Sequence, residues 1–205
     1  HGGDLKGIEN HLDYLQSLGV TTLWLTPVII NDMPNRTEHG YAFTDHYTID
    51  PRIGGKKSYE DLIQAVHAKK MKIIQDAVYN QLGVYHFTVQ DLPMKDWLHQ
   101  WPSYTNTTFK DQVIFDPYAS DIDKKKMTDG WFTRQMPDLN QQNPYVANFL
   151  IQHAIWTVEE FGIDGWRIDT YAYNDLNFRN RCNKGIMEEC TRIARFVETR
   201  GSGVP

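Results

Sequence analysis

The chain has 205 residues, of which 40% are hydrophobic and 23% are charged, and this composition is typical of a folded globular protein rather than a disordered or fibrous one. A net charge of −5 argues against nucleic acid or an anionic membrane as the main partner. No apolar run is long enough to span a bilayer. Because His1 is not an initiator residue, we expect the chain to begin inside a longer protein. The cellular compartment and the oligomeric state stay open.

Helical and strand patterns alternate along the chain. Residues 4–18 place apolar side chains on one helical face, and the β-branched, apolar run at residues 20–26 predicts a strand buried on both faces. This pattern of a helix followed by a strand recurs three more times. Helices are predicted to start at Ser58 and at Asn143–Pro144 and to lie within residues 174–190, and strands are predicted at residues 71–78, 163–168 and 193–199.

This alternation implies parallel strands joined by crossover helices, and both a doubly wound sheet and an eight-stranded barrel satisfy it. The positions of polar residues distinguish the two, because a βα barrel builds its site at the carboxyl ends of several strands. Four polar residues fall at such ends: Asp76, Asn80, Asp169 and Glu198. A complete barrel needs about 250 residues. We therefore predict an α/β fold that is part of a TIM (β/α)8 barrel, from the first helix to about the fifth strand.

The regular pattern stops between Leu82 and Met136, where aromatic, polar and charged residues prevail. Unstructured loops of that length are uncommon in compact domains, so the segment predicts a small inserted subdomain after the third strand. The expected organisation is a first barrel part over residues 1–81, the insert over residues 82–140 and a truncated second barrel part over residues 141–205. The predicted insert has three tryptophans, Trp97, Trp101 and Trp131. We expect most of them to pack within the insert and one to reach the substrate.

The strand predicted at residues 163–168 ends on a pair of charges. Side chains alternate between the faces of a strand, so Arg167 and Asp169 point the same way. A guanidinium beside a carboxylate lowers the pKa of the acid and keeps it ionised, which suits a nucleophile. An ordinary ion pair at a sheet edge is the alternative. Glu198 ends the next strand and could lie about 5–5.5 Å from Asp169, as in a retaining glycosidase, or it could be a solvated surface glutamate.

The run GIDGWRIDTYAY at residues 162–173 resembles the nucleophile-bearing segment of the α-amylase family, glycoside hydrolase family 13. The resemblance covers almost the whole chain, and the joint order of the motifs makes chance negligible. MPDLN together with the run NDLNFRNRCNK is similar to the neopullulanase, cyclomaltodextrinase and maltogenic amylase branch. The other matching segments are the first helix and second strand (3–27), the loop with the subsite tyrosine (39–55), the third-strand motif QDAVYNQLG (75–83), the motif MPDLN after the insert (136–140) and the general-acid segment FVET (196–199).

The resemblance implies a role for each matching residue. Asp169 would be the nucleophile, Glu198 the general acid/base, and Arg167 the group that holds Asp169 ionised and oriented. Tyr41 would stack on the reacting sugar, and Asp76 would brace Arg167 and the floor of the site.

The implied activity is retaining hydrolysis of α-1,4-glucosidic bonds in malto-oligosaccharides, cyclodextrins, starch or pullulan, so an α-glucan is the expected partner. An α-glucosidase or transglycosylase of the same family is one alternative. A non-catalytic amylase-like domain that binds glucan or a protein is another. Calcium is the one cofactor that the resemblance suggests, because the position of Asn80 contributes to a calcium site in some members; here we expect a strand-end hydrogen bond instead.

Three residues depart from the family pattern. Gln81 stands where the family has a histidine that hydrogen-bonds the reacting sugar, so a donor is retained but transition-state binding is weakened. Val197 and Arg200 flank Glu198, and a nearby arginine opposes the raised pKa that a general acid needs. The family's third acid would lie beyond Pro205, so we expect negligible activity from the 205 residues alone.

Overall fold

A computed structural model of the chain describes residues 3–35 and 37–189, together with the backbone of residues 194–197. The described residues form one sheet of parallel strands in the order β1-β2-β3-β4. The strands are β1 (Thr22–Trp24), β2 (Lys72–Ala77), β3 (Gly165–Ile168) and β4 (Ala194–Val197). The helices are α1 (Leu5–Asn10), α2 (Leu12–Ser17), α3 (Gly55–Ala68), α4 (Phe87–Gln90), α5 (Asp121–Asp129), α6 (Pro144–Phe161) and α7 (Leu176–Glu189).

The order of the strands distinguishes a barrel from a doubly wound sheet. Each strand pairs with the next one along the chain, and the helices follow the same order, with α1 against α3, α3 against α6 and α6 against α7. In a doubly wound sheet the strand order reverses at a switch point, so sequence neighbours are separated there. The uninterrupted order is that of an arc of a (β/α)8 barrel, as predicted.

Helix α6 begins and ends at the residues that the sequence indicates. The Asn143 side chain accepts a hydrogen bond from the Tyr145 N–H, and Pro144 occupies the first helical turn. Gly162 ends the helix with φ 69°, a left-handed conformation that a residue without Cβ adopts at low cost. The chain enters β3 three residues after this glycine; β3 contains Arg167, and Asp169 directly follows it.

Two helix predictions were wrong in detail. The helix predicted over residues 4–18 is interrupted at His11, whose backbone has φ −107° and ψ 8° and whose ring Nδ1 lies 2.7 Å from the Gly7 carbonyl oxygen; side-chain bonds to the preceding turn compete with helix continuation. Helix α3 begins at Gly55 rather than at a Ser58 cap. Gly54, at φ 117°, ends the preceding turn and starts the helix earlier.

The sheet packs on an apolar core to which residues before 82 and after 140 both contribute. Its fully buried side chains include Trp166, Tyr59, Leu62, Ile73 and Leu150. The Tyr59 hydroxyl donates to Gln75 Oε1 over 2.7 Å, which satisfies two buried polar groups. None of the helices in the described part has the length and apolar character to cross a lipid bilayer.

Three histidines are buried together: His46 in the loop after β1, His86 at the start of α4 and His153 on α6. His46 Nδ1 lies 3.0 Å from His86 Nε2, and the rings of His46 and His153 are 4.9 Å apart. Burial lowers the pKa of His46, and it lowers the pKa of His86 and of His153 to about 4. The cluster therefore packs as neutral imidazoles.

We expect the buried histidines to make the fold acid-labile. Their pKa values are lower in the folded chain than the ordinary 6.5, so stability is complete above that pH and falls as the pH drops towards about 4. Within this range, each of these histidines lowers the free energy of unfolding by about 1.4 kcal/mol for every unit that the pH falls. Urea unfolding at about pH 7.5 and about pH 5 should show that His153→Gln removes about 2 kcal/mol of this pH dependence. The exposed His11→Gln is the control, and an equal effect of both changes would contradict the assignment.

Candidate active site

The register between β2 and β3 places Asp76 directly opposite Arg167. Arg167 Nη1 donates to Asp76 Oδ1 over 2.5 Å and to Asp169 Oδ1 over 3.0 Å, so one guanidinium nitrogen bridges two carboxylates. All three side chains are largely buried. Hydrogen bonds to charged groups are strengthened in such surroundings, and the shared cation offsets the cost of burying the two acids.

Asp76 collects donors from two further elements. Tyr41 OH donates to Asp76 Oδ2 over 3.1 Å, and Trp24 Nε1 donates to the same oxygen over 3.0 Å. Burial raises the pKa of Asp76, while Arg167, Trp24 and Tyr41 act in the opposite direction. Burial, followed by the Asp76 charge, raises the pKa of Tyr41 to about 12, so its hydroxyl stays protonated.

Trp24 is a residue of this network that the sequence analysis missed. Its partner in the sheet is Ile74, two residues before Asp76, and its ring centroid lies 4.7 Å from the Arg167 guanidinium carbon, within cation–π distance. The side chain is 53% exposed rather than buried on both faces as predicted. Its place near the carboxyl end of the strand predicted over residues 20–26 was the one signal in the sequence.

Asp169 follows β3 at the point where the chain turns away. Its N–H still donates to the Ala77 carbonyl over 3.0 Å, and the next residue, Thr170, is left-handed with φ 46°. The Asn174 amide holds this turn by donating to the Thr170 carbonyl over 2.9 Å. The carboxylate therefore stands at the carboxyl end of the sheet on a backbone fixed from both sides.

A cavity of about 500 Å³ opens beside this network and is lined by Tyr41, Arg167 and Asp169. Gln81 also lines it. The Gln81 Nε2 donates to the Tyr41 carbonyl over 3.3 Å, and Gln81 Oε1 is buried without a hydrogen-bond partner among the described residues. The structure thus brings five of the six predicted site residues into one place; the sixth, Glu198, lies outside the described residues, as does Arg200.

The tryptophans of residues 82–140 pack away from this cavity. Trp97 is buried, Trp101 Nε1 donates to the Asp129 carbonyl over 3.0 Å, and Trp131 Nε1 donates to the His99 carbonyl over 2.8 Å. The aromatic residues that this segment contributes to the cavity are Phe109 and Phe132. No pattern in the sequence separates them from phenylalanines that only pack.

Residues 1–193 match the model of a family described as alpha amylase, catalytic domain. The chain belongs to the alpha-amylase family. A cyclomaltodextrinase of Thermoanaerobacter pseudethanolicus is 33% identical over 86% of the chain and 29% of its own length. An intracellular maltogenic amylase of Bacillus subtilis is 34% identical over 92% of the chain and 30% of its own length.

A solved structure shares the fold of this alpha-amylase family chain. The alpha-amylase of Geobacillus thermoleovorans, complexed with acarbose, superposes with a TM-score of 0.82 at 32% identity, covering 98% of the chain and 41% of the solved one. The fold is part of a TIM barrel, and the family resemblance is confirmed. The chain thus spans under a third of the length of these two curated relatives.

Asn80 occupies the position that contributes to a calcium site in some family members. Here its neighbour Asp138 has a polar contact at each carboxylate oxygen. Asn80 Nδ2 donates to Asp138 Oδ1 over 2.8 Å, and the His99 ring contacts Asp138 Oδ2 over 2.6 Å. Burial raises the pKa of Asp138 to about 7. No group of three or more His, Cys, Asp or Glu side chains in the described part could hold a metal ion. Asn80 thus makes the hydrogen bond that was expected at this strand end.

Proposed function

We propose that the whole protein is a retaining glycoside hydrolase that cleaves α-1,4-glucosidic bonds of malto-oligosaccharides, cyclodextrins, starch or pullulan. The observation that carries the proposal is the Asp76–Arg167–Asp169 bridge at the carboxyl ends of β2 and β3, inside a cavity of a size that suits a sugar. Membership of the alpha-amylase family supports it. The names of the two relatives favour cyclodextrins and malto-oligosaccharides among these substrates.

Asp169 acts as the nucleophile in this proposal. Its carboxylate attacks the anomeric carbon while a second acid protonates the departing oxygen, and water then hydrolyses the glycosyl-enzyme. Arg167 holds Asp169 through Oδ1, which fixes the carboxylate and favours its ionised form. Glu198 is the proposed proton donor because of its place in the motif FVET. The register supports this choice, since Ile168 and Val197, the residues before the two acids, are partners in the sheet.

Tyr41 and Gln81 bind the reacting sugar in the same proposal. Tyr41 offers a ring face whose hydroxyl is held by Asp76, and aromatic rings suit the apolar faces of sugars. Gln81 lines the cavity, and its Oε1 has no hydrogen-bond partner among the described residues, which makes it the candidate acceptor for a sugar hydroxyl. A buried acceptor left unpaired is costly, so a substrate hydroxyl that pairs with it gains free energy on binding.

We further propose the domain organisation of a first barrel part (1–81), an insert (82–140) and a second barrel part (141–205). Backbone bonds close the base of the insert, because the Leu82 N–H donates to the Pro137 carbonyl over 3.1 Å and the Leu139 N–H donates to the Asn80 carbonyl over 2.8 Å. The two ends therefore meet at the strand end of β2, where the insert can cover the cavity without interrupting the sheet.

The anomeric form of the first product tests the mechanism. Hydrolysis of maltotriose by the whole protein, followed by proton NMR, should show the α-anomer first, with the β-anomer appearing only by mutarotation, because two displacements at one carbon restore its configuration. A first product in the β form would contradict the assignment of Asp169 as a nucleophile. Absence of turnover of any α-glucan would favour the non-catalytic alternative.

A further inference from the structure

We propose that Phe109 determines specificity by offering a stacking surface to the sugar ring next to the one held at Asp169. This inference rests on the proposed function and identifies the substrate class more closely. The preferred substrates are α-glucans in which the ring held at Asp169 is linked to a second ring that contacts Phe109. Phe109 lines the same cavity as Tyr41 and Asp169 but comes from the segment after the third-strand motif. Its side chain is 47% exposed, so a large apolar face is available in a cavity that also holds the charged Arg167 and Asp169.

The backbone of Phe109 is held in an unfavourable conformation. Its φ of 55° lies in the left-handed region, which only three non-glycine residues in the described part of the chain adopt. Such strain persists where surrounding contacts impose it, and it is concentrated at ligand-binding sites. One of the other two residues is Thr170, next to the proposed nucleophile.

The contacts that impose this conformation reach into α5. The Phe109 N–H donates to Thr107 Oγ1 over 3.4 Å, and the buried Thr107 hydroxyl donates to the Met127 carbonyl over 3.1 Å. Gly130 allows the close approach, because a Cβ at that position would lie 2.6 Å from the Thr107 nitrogen. The loop that carries the ring is therefore anchored on a helix rather than free to move.

A series of ring contacts ties Phe109 to the segment that carries the nucleophile. The rings of Phe109 and Phe132 are 5.6 Å apart, and those of Phe132 and Tyr173 are 5.0 Å apart. Tyr173 is buried and follows Asp169 by four residues. The series fixes the position of an exposed aromatic face relative to the carboxylate that attacks the sugar.

The chemistry of the ring defines what it recognises. A phenyl ring carries no donor or acceptor, so it packs on the C–H faces of a pyranose and does not depend on individual hydroxyls. Tyr41 and Gln81 already offer polar and aromatic contacts for the reacting ring. Phe109, on a separate element, then acts on the next ring of a malto-oligosaccharide.

Two substrates separate this role from general support of the site. Maltotriose places several rings in the cavity, whereas α-glucosyl fluoride has one ring and a small leaving group. For Phe109→Ala and Phe109→Gly in the whole protein, the ratio of kcat/KM for maltotriose to that for α-glucosyl fluoride should fall about tenfold. Phe115→Ala is the matched control, since Phe115 is an 83% exposed phenylalanine of the same segment that does not line this cavity, and it should leave the ratio unchanged.

Thermal unfolding and binding measurements complete the test. Phe109→Gly should melt at or above the temperature of the parent, because glycine relieves the left-handed strain; a lower melting temperature together with equal losses on both substrates would make Phe109 structural and overturn the inference. Calorimetry with maltotriose on an Asp169→Asn background should show a Kd about tenfold weaker after Phe109→Ala. An unchanged Kd overturns the role of Phe109. A weaker Kd in a protein whose parent shows no turnover upholds that role and refutes the proposed hydrolysis instead.

Discussion

Replacing Asp169 by asparagine in the whole protein is expected to lower kcat/KM for maltotriose by about 10⁴-fold, the scale on which loss of a catalytic group acts in other hydrolases. Asparagine has the same shape and can still accept a hydrogen bond from Arg167, whose Nη1 lies 3.0 Å from Asp169 Oδ1. It supplies no anionic oxygen for attack on the anomeric carbon. Steady-state kinetics and circular dichroism should therefore show lost turnover in a folded protein.

The matched control for this change is Asp164→Asn. Asp164 immediately precedes β3, at the opposite end from Asp169, and bonds to His67 and Lys72 over 2.7 Å and 2.8 Å. Burial acts to raise the pKa of Asp164, but bonds from Lys72, the Ile73 backbone and His67 outweigh it and the net shift is downward. Its loss should cost stability and leave kcat/KM within about twofold of the parent. An Asp169→Asn protein as active as Asp164→Asn would exclude Asp169 as the nucleophile.

Replacing Arg167 by methionine is expected to remove most activity and also much of the stability. The Asp76 side chain is 0% exposed and Asp169 only 12%, so loss of the guanidinium leaves two buried acids without the cation that bridges them. Breaking a buried ion pair by deleting one partner costs about 3–5 kcal/mol. Urea unfolding should show a lower midpoint, and kcat/KM should fall by at least about 100-fold as Asp169 loses its orientation.

A double variant separates the two effects of Arg167. Adding Asp76→Asn to Arg167→Met removes the uncompensated charge beside Tyr41 and Trp24, so part of the stability should return while activity stays low. Arg181→Met is the control for deleting an arginine, since Arg181 is exposed and bonds only to Asn148 among the contacts described; it should change stability by less than about 0.5 kcal/mol. An Arg167→Met protein with the urea midpoint of the Arg181→Met control would show that the bridge contributes nothing to stability.

The local sequence was sufficient to predict the secondary-structure elements around β3. Asn143 and Pro144 start α6 and Gly162 ends it because capping bonds and left-handed backbone depend on residue type within a few positions. The common face of Arg167 and Asp169 follows from strand alternation, and their ion pair is present. The alternation of helices and strands likewise predicted the parallel sheet, and the polar residues at the carboxyl ends of several strands favoured a barrel over a doubly wound sheet; the structure and the family comparison confirm both.

Pairing between distant parts of the chain depended on three dimensions. The opposition of Asp76 and Arg167 is a matter of strand register, which hydrogen bonding across the sheet sets and no local pattern encodes. Trp24 ends β1 and donates to Asp76, and Phe109 follows β2 by more than thirty residues and lines the cavity beside Asp169. Propensity describes a residue against its sequence neighbours, whereas these contacts span tens of residues. Strand alternation therefore predicted the charge pair, the family resemblance predicted Tyr41, Asp76 and Gln81 beside it, and neither predicted Trp24 or Phe109.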